Sequence, residues 1–380
     1  MKASDTSFFV FITRRMNWFG FGFNGFGQIR PADVTCKVNT PVLISDVCRS
    51  NCRVRASWSS RAHVHHSDGG SHVCVSGFGS GSSEQVCEDT VPESRGCADA
   101  LISETHLTLN FTDRVECWEI QKPQNKLVWK REQDLSGNTG QTVPLPLVPG
   151  GYVMPRSPFF RALCSELCVV SLALGTGHAV LLTSVGTVYS WGSGSHGQLG
   201  HGALASQDEP QVVEALWGVP MRAVSAGSWH SASVSTGGDL YIWGWNESGQ
   251  LGLPSRGLEE EKHRAKSDGN TVQTINKDEK DHADTFISIQ AFPALVDVPD
   301  VSEISRISCG SRHTAAVTGT GDLYTWGWGH YGQLGHCSED STDEPTLVDY
   351  FPTHSMCVQD VVCGLWNTFV SAVPKEQSPS

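Results

Sequence analysis

Short runs of apolar and β-branched residues, broken by turns, recur along the chain. Residues 179–182 and 188–191 form two such runs on either side of a turn at Gly186, and apolar and polar residues alternate over residues 107–111. Alternation with a period of two predicts half-buried strands, whereas no segment keeps a helical period over several turns. The pattern therefore predicts an all-β protein built from short antiparallel strands.

Three segments of the second half are copies of one another: residues 175–200, 227–252 and 310–335. In each copy a histidine precedes a tryptophan by 13 positions, and the copy ends in Gly-Gln-Leu-Gly. The pairs are His178 with Trp191, His230 with Trp243, and His313 with Trp326. Repetition at about fifty residues indicates an array of small units. Short strands with a glycine and aromatic signature in each unit predict a β-propeller.

These repeats resemble the regulator of chromosome condensation (RCC-type) repeat family, because histidine, tryptophan and Gly-Gln-Leu-Gly stand in register over residues 170–373. Propellers of that family have about seven blades. The resemblance therefore implies six or seven blades here, with seven favoured. It fades over residues 31–165, where we expect divergent blades near residues 56–77 and 98–120 and further strands over 121–165.

The two ends of the chain carry complementary parts of one more repeat. Residues 21–29 align with residues 243–251, which places Phe21 where a tryptophan stands in the clear repeats. The segment 363–370 aligns with the start of the third copy, with Asn367 where that copy has a histidine. We therefore expect the N-terminal strand to complete the last blade, which removes the exposed sheet edges of an open ring.

The expected domain organisation follows from this alignment. Residues 1–15 are an extension outside the repeats, and residues 16–380 form a single propeller with its clear repeats over 166–373. Residues 257–285 are a charged insertion, because the spacing between tryptophans is about 31 residues longer there than in the preceding repeat. Such a composition cannot supply a packed core, so this insertion is expected to be a disordered loop.

A proline-rich segment over residues 149–161 breaks the repeat pattern, and its three prolines favour an extended backbone. It is either a bridge over the propeller rim or a recognition peptide presented to a partner. The second interpretation makes aromatic, apolar and arginine side chains the candidate partner-binding residues: Tyr152, Met154, Arg156, Phe159, Phe160 and Arg161.

Composition and charge narrow the classes of partner. The chain has 380 residues and a formal net charge of −13. This acidic balance, without a basic stripe, argues against direct nucleic-acid binding and leaves basic partners such as histone tails. No apolar run is long enough to span a membrane. The 13 cysteines lack the spacing of a zinc site, so reduced thiols, no metal and no cofactor are expected. His63, His65 and His66 are expected at the surface.

The chemistry of the repeats favours a scaffold over an enzyme. The repeated histidines and Asn367 occupy one equivalent position, and an amide replaces an imidazole more easily as a hydrogen-bonding group than as a base. No catalytic motif is present. We expect a monomeric, non-enzymatic interaction scaffold. The resemblance implies a Jumonji-C oxygenase as the partner, with histones reached indirectly, and roles in histone lysine methylation, chromosome segregation and spindle organisation. It also implies location at the chromosome, in the nucleus and in the cytoplasm.

Two other functions stay open at this point. One is guanine-nucleotide exchange on a small GTPase, which the founding member of the family performs. The other is recruitment of substrates for ubiquitin ligation, a frequent role of propellers. The fold alone does not separate these functions.

Overall fold

The computed structural model describes residues 16–31, 35–44, 52–67, 70–78, 89–120, 124–133, 144–268, 285–301 and 303–375. Over these residues the strands form seven sheets, one per blade. The all-β propeller and its favoured count of seven blades are therefore confirmed. The expected extension over residues 1–15 lies outside the described residues.

The N-terminal half supplies two strands to the closing blade and then three further blades. The two strands are β1 (Asn17–Phe23) and β2 (Lys37–Leu43). The next two blades are β3 (Arg53–Ala56), β4 (Ser60–Ser67), β5 (Gly70–Gly77) and β6 (Asp89–Val91), then β7 (Asp99–Ile102), β8 (His106–Asn110), β9 (Arg114–Glu119) and β10 (Lys126–Glu132). A three-stranded blade follows, with β11 (Leu147–Val148), β12 (Gly151–Val153) and β13 (Phe160–Ala162).

The C-terminal half holds the three clear repeats and the rest of the closing blade. The first repeat has β14 (Val169–Leu174), β15 (His178–Thr183), β16 (Val188–Gly192) and β17 (Gln207–Val212). The second has β18 (Met221–Ala226), β19 (His230–Ser235), β20 (Leu240–Trp245) and β21 (Ile289–Val296), with helix α1 (Arg256–Asp268) between its last two strands. The third has β22 (Ile304–Cys309), β23 (His313–Thr318), β24 (Leu323–Gly327) and β25 (Thr342–Leu347), and helix α2 (Tyr350–Thr353), β26 (Met356–Cys363) and β27 (Asn367–Pro374) end the described chain.

The closing blade joins the two ends of the chain. Its strand order is β2-β1-β27-β26, so each end supplies two neighbouring strands. Within the β1–β27 ladder Phe19 pairs with Val370, and Gly22 pairs with Asn367. The predicted closure by the N-terminal strand is confirmed, and β2 adds a second N-terminal strand that the sequence did not reveal.

Apolar side chains pack between neighbouring sheets. Trp243 packs against Val180 and Val188 of the preceding blade, and the leucine of each Gly-Gln-Leu-Gly loop is buried. Neighbouring blades also meet around the propeller axis through one edge strand each, because β14 contacts β18, β18 contacts β22, β22 contacts β26, β26 contacts β3, and β3 contacts β7. The carboxyl ends of these strands therefore surround a common centre.

Two irregular segments differ from their expected structure. The charged insertion was expected to be a disordered loop, but its first part forms α1 and is anchored to the core. Leu258 is buried, and the backbone N–H of Ser255 donates to the Asp343 carboxylate at 2.8 Å. Residues 269–284 lie outside the described residues. Residues 149–161 were expected to bridge the rim or to be presented as a peptide, but they contribute β12 and part of β13 to a blade.

Candidate functional site

The repeated histidines begin the second strand of each clear repeat and face the next blade. Their Nε2 atoms lie close to hydroxyl oxygens there, in the pairs His178–Ser231 (2.8 Å), His230–Thr314 (2.9 Å) and His313–Thr368 (3.0 Å). Each hydroxyl donates in turn to a glutamine carbonyl in the histidine's own blade, in the pairs Ser231–Gln198, Thr314–Gln250 and Thr368–Gln333. Because a hydroxyl has a single proton, the imidazole must donate its Nε2–H. The histidines therefore connect blades.

Burial keeps these three imidazoles neutral. It lowers the pKa of His178 to about 4, and it lowers the pKa of His230 and of His313 to about 3. Neighbouring His313 and His178 lower the pKa of His230 further. A neutral imidazole enclosed by protein, and already donating its one N–H, is suited to holding structure rather than to moving a proton near neutral pH.

The tryptophans of the repeats also bond across the seams, which are the contact regions between neighbouring blades. Trp243 donates its indole N–H to the Gln198 carbonyl at 2.9 Å, and Trp326 donates to the Gln250 carbonyl at 3.1 Å. Trp191 follows a blade without a Gly-Gln-Leu-Gly loop, and it donates to the Tyr152 hydroxyl at 3.3 Å instead. In the closing blade Phe21 is fully buried in the equivalent place.

The candidate residues of the 149–161 segment divide into a buried and an accessible group. Tyr152 is buried, Met154 packs against its core cluster, and Phe160 lies 3.6 Å beneath the Arg131 guanidinium. These three residues hold the blade together. By contrast Arg161 is exposed, and Phe159 is half-buried between the rings of His106 and Trp129.

Arg156 stands at the mouth of a central cavity of about 270 Å³. The cavity is formed at the carboxyl ends of the axial strands, with Leu174, Ala226 and Cys309 among its lining residues. The side chain of Arg156 is 74 % exposed, and its guanidinium lies 3.7 Å from the Glu104 carboxylate. The segment therefore brings one accessible cation to the propeller axis.

An arc of aromatic side chains lies on this same end of the propeller. In each regular blade the residue before the histidine position and the residue after Trp-Gly are joined by a backbone hydrogen bond. Trp245 is bonded in this way to Trp229 (2.9 Å), and Trp328 to Arg312 (2.8 Å). In the closing blade Phe23 is bonded to Trp366 (2.8 Å). In these three blades the strand ends thus bring two side chains together.

The rings form a chain of contacts across four blades. The Arg312 guanidinium lies 4.7 Å above the Trp245 ring and so joins two blades. Trp328 then meets Trp366 at 5.0 Å between ring centroids. The remaining contacts run from Trp366 to Tyr331, Phe23, Phe26, Trp58 and Phe78. We call these residues the aromatic face: Phe23, Phe26, Trp58, Phe78, Trp229, Trp245, Arg312, Trp328, Tyr331 and Trp366.

The aromatic face and the axial cavity are continuous. Trp58 belongs to the aromatic face and also lines the cavity together with Arg156. Trp58 is 40 % exposed and Phe78 is 58 % exposed, while the other rings of the face are partly exposed. Sequence reasoning missed this surface because it assigned the tryptophans to packing in the core and at the rim. The signal was present, since these tryptophans stand in loops or at a strand end rather than at the buried Trp-Gly position.

Among the described residues, neither helix is long and apolar enough to cross a membrane. The described residues also contain one group of potential metal ligands. It is formed by His65, His72 and Cys74 in the blade of β3–β6. The described cysteines are free thiols.

Comparisons with known proteins agree with this architecture. The model of the Regulator of chromosome condensation (RCC1) repeat matches residues 185–234, 237–317 and 320–371, and a second model of that repeat matches residues 169–198, 221–250 and 304–333. The crystal structure of Prp20p from Saccharomyces cerevisiae superposes with a TM-score of 0.72 at 19 % identity, covering 96 % of this chain and 93 % of that one.

Full-length relatives extend the similarity through the divergent half. The chain is 42 % identical over 381 residues to a Homo sapiens protein called RCC1 domain-containing protein 1, which covers 95 % of this chain and 98 % of the relative. It is also 42 % identical over 385 residues to the Mus musculus protein of that name, with the same coverage. The chain therefore belongs to the RCC1 repeat family of β-propellers.

Proposed function

We propose that this protein is a non-enzymatic interaction scaffold whose protein partner binds the aromatic face across the mouth of the axial cavity. The observation that carries this proposal is the arc of accessible rings, which bridges four blades and ends beside Arg156. Tryptophan, tyrosine and arginine are the side chains that most often dominate binding energy at protein interfaces. A surface that concentrates them on one end of a rigid ring is suited to docking a folded partner.

The proposed partner is a Jumonji-C oxygenase acting on chromatin. The support is the family resemblance, which implies such a partner together with roles in histone lysine methylation, chromosome segregation and the spindle. In the structure Arg156 is accessible and extends from the rigid blade of β11–β13. This placement allows it to enter a cleft of the partner as substrate or pseudo-substrate. Under this proposal the scaffold works in the nucleus and reaches histones through the oxygenase.

The experiment is a quantitative affinity purification from nuclear extract with matched variants. Trp328→Ala/Trp366→Ala removes the centre of the aromatic face, and Arg156→Ala removes the axial cation. Trp217→Ala is the control, because Trp217 is 76 % exposed and lies beside the turn at Gly186, at the other ends of the strands. Circular dichroism confirms that every variant is folded.

We expect the wild type and Trp217→Ala to capture a Jumonji-C oxygenase. Trp328→Ala/Trp366→Ala should not capture it. Equal capture by all variants would contradict the placement on the aromatic face. Capture of a small GTPase or of a ubiquitin-ligase subunit in place of an oxygenase would favour nucleotide exchange or substrate recruitment instead. A nucleotide-release assay on the captured GTPase then decides between binding and exchange.

A further inference from the structure

We propose that the divergent blade of β3–β6 carries a zinc site formed by His65, His72 and Cys74. Their potential ligand atoms all lie within 4.8 Å of one another. Two imidazoles and one thiolate form a donor set typical of Zn²⁺, and the fourth tetrahedral position is left to water. The site is independent of the aromatic face and of the proposed partner.

Strand pairing explains how these residues meet. In the β4–β5 hairpin His65 lies directly opposite His72, and His63 lies directly opposite Cys74. Because side chains alternate along a strand, His72 and Cys74 share one face of the sheet. Arg61 belongs to this face as well, and its guanidinium lies 5.7 Å from the Phe369 ring of the closing blade. The ligands therefore lie on the face of this blade that is directed toward the closing blade.

The two histidine rings lie nearly parallel, so they must turn before both can point at one ion. The His65 and His72 rings are stacked with centroids 4.8 Å apart, and both are half-buried, which leaves a path for the ion. Tetrahedral zinc with bonds of about 2.0–2.3 Å places its ligand atoms about 3.5 Å apart. Rotation of the two histidine side chains, whose ring planes lie at 9° to each other, closes the difference. On binding, the Cys74 thiol loses its proton to solvent and coordinates as the thiolate.

This site could not be recognised from the sequence, because its ligands are brought together by the pairing of two strands and do not form a local motif. Reading the chain alone placed His63, His65 and His66 together at the surface. In the hairpin His63 and His65 share one face of β4, with ring centroids 5.8 Å apart, but His63 is fully buried and His65 faces His72. His66 turns to the opposite face.

The test is titration of the purified, reduced full-length protein with Co²⁺ and then with Zn²⁺. We expect one equivalent of Co²⁺ to give a thiolate-to-cobalt charge-transfer band, which one equivalent of Zn²⁺ abolishes. Zn²⁺ should also raise the melting temperature, because a formed site binds it more tightly than the unfolded chain does. His65→Ala, His72→Ala and Cys74→Ser should each lose the band and the thermal shift. His66→Ala is the matched control and should keep both.

Failure of the wild type to bind either ion would overturn the proposal. So would a band that survives in Cys74→Ser, because the thiolate would then belong to another cysteine. Loss of the band in His66→Ala to the same extent as in His65→Ala would show a general disturbance of the blade and would also overturn it. If one histidine variant does not fold, as judged by circular dichroism, the other histidine variant and Cys74→Ser give the decision.

Discussion

The indole N–H of Trp326 lies 3.1 Å from the carbonyl oxygen of Gln250, across the seam between two blades. The same carbonyl accepts from the Thr314 hydroxyl at 2.7 Å, and that hydroxyl receives the Nε2–H of His230. Both lone pairs of the carbonyl and the only proton of the hydroxyl are therefore used. Each of the three seams that follow a Gly-Gln-Leu-Gly loop contains a small buried polar network, and the repeated residues are those that such a network needs.

Thr314→Val removes the central hydroxyl of this network at nearly constant volume. The buried His230 N–H then loses its acceptor, and the expected loss is about 1–3 kcal/mol in the free energy of unfolding. Urea unfolding of the two proteins measures it. Thr346→Val is the control, since Thr346 is exposed and its hydroxyl donates to the Glu344 carbonyl of its own strand, and it should stay within about 0.5 kcal/mol of the wild type. Equal effects of both variants would show that the seam hydroxyl has no special role.

Acid should destabilise the protein through its buried histidines. Their pKa values are lowered to about 4 and about 3 in the folded state, whereas an unfolded histidine keeps its ordinary pKa of about 6.5. Between about pH 6.5 and pH 4 the unfolded chain binds more protons, so stability falls as the pH falls. Each histidine contributes a slope of about 1.4 kcal/mol per pH unit within that window.

His230→Asn tests this linkage, because Asn367 shows that an amide can occupy the position in the closing blade. The variant should lose about one histidine's share of the slope between pH 6 and pH 4, while above pH 7 its curve runs parallel to that of the wild type. Chemical unfolding at a series of pH values measures both slopes. An unchanged slope in the acid range would mean that His230 is not buried as a neutral group.

Gly22→Ala should weaken the closure of the ring. Gly22 has a φ of +108°, and a Cβ atom there would lie 2.6 Å from the Cα of Asn367. The strain and the overlap should together cost more than about 3 kcal/mol. Gly218→Ala is the matched control, because Gly218 also has a positive φ but no atom lies within 4 Å of the added Cβ. That variant should lose only about 1–2 kcal/mol by thermal or urea unfolding.

The insertion should divide into a structural and a dispensable part. Leu258→Ala should lower the free energy of unfolding by about 2–5 kcal/mol, because it leaves a cavity where this α1 side chain is buried. Replacing residues 269–284 by a short Gly/Ser linker should change the stability by less than about 1 kcal/mol, since the cost of a loop grows only logarithmically with its length. Comparing the unfolding midpoints of the two variants measures the difference. A larger loss from the deletion than from Leu258→Ala would refute the division.

The regular blades could be predicted from sequence because the same residues make the same hydrogen bonds between each pair of them. His, Trp and Gly-Gln-Leu-Gly recur since each carries part of the same network. Phe21 and Asn367 fill the equivalent places of the closing blade, and this allowed the ends to be matched. The role of Tyr152 could not be predicted in this way, because it supplies an acceptor to Trp191 where the preceding blade lacks the loop.

The divergent blade shows why the sequence alone was insufficient there. Ser76 pairs with Arg61, at the ladder position where Trp243 pairs with Ser231. Arg61 is buried, donates to the Ser76 hydroxyl at 3.2 Å and lies over Phe369. A large residue and a small one have thus exchanged strands, which keeps one large side chain in the seam and removes its sequence signature. The aromatic face was hidden for a different reason, since it depends on which loop residues become neighbours.

The most direct test of the central proposal is to measure how tightly the purified partner binds the Trp366→Ala and Trp217→Ala variants of this protein. Isothermal titration calorimetry gives the dissociation constant for each variant and for the wild type. Trp366 contacts both Trp328 and Tyr331 at the centre of the aromatic face. We expect at least about 30-fold weaker binding for Trp366→Ala, which corresponds to a hot-spot loss of about 2 kcal/mol, and unchanged binding for Trp217→Ala. Equal dissociation constants for the wild type and Trp366→Ala, with both proteins folded, would contradict it.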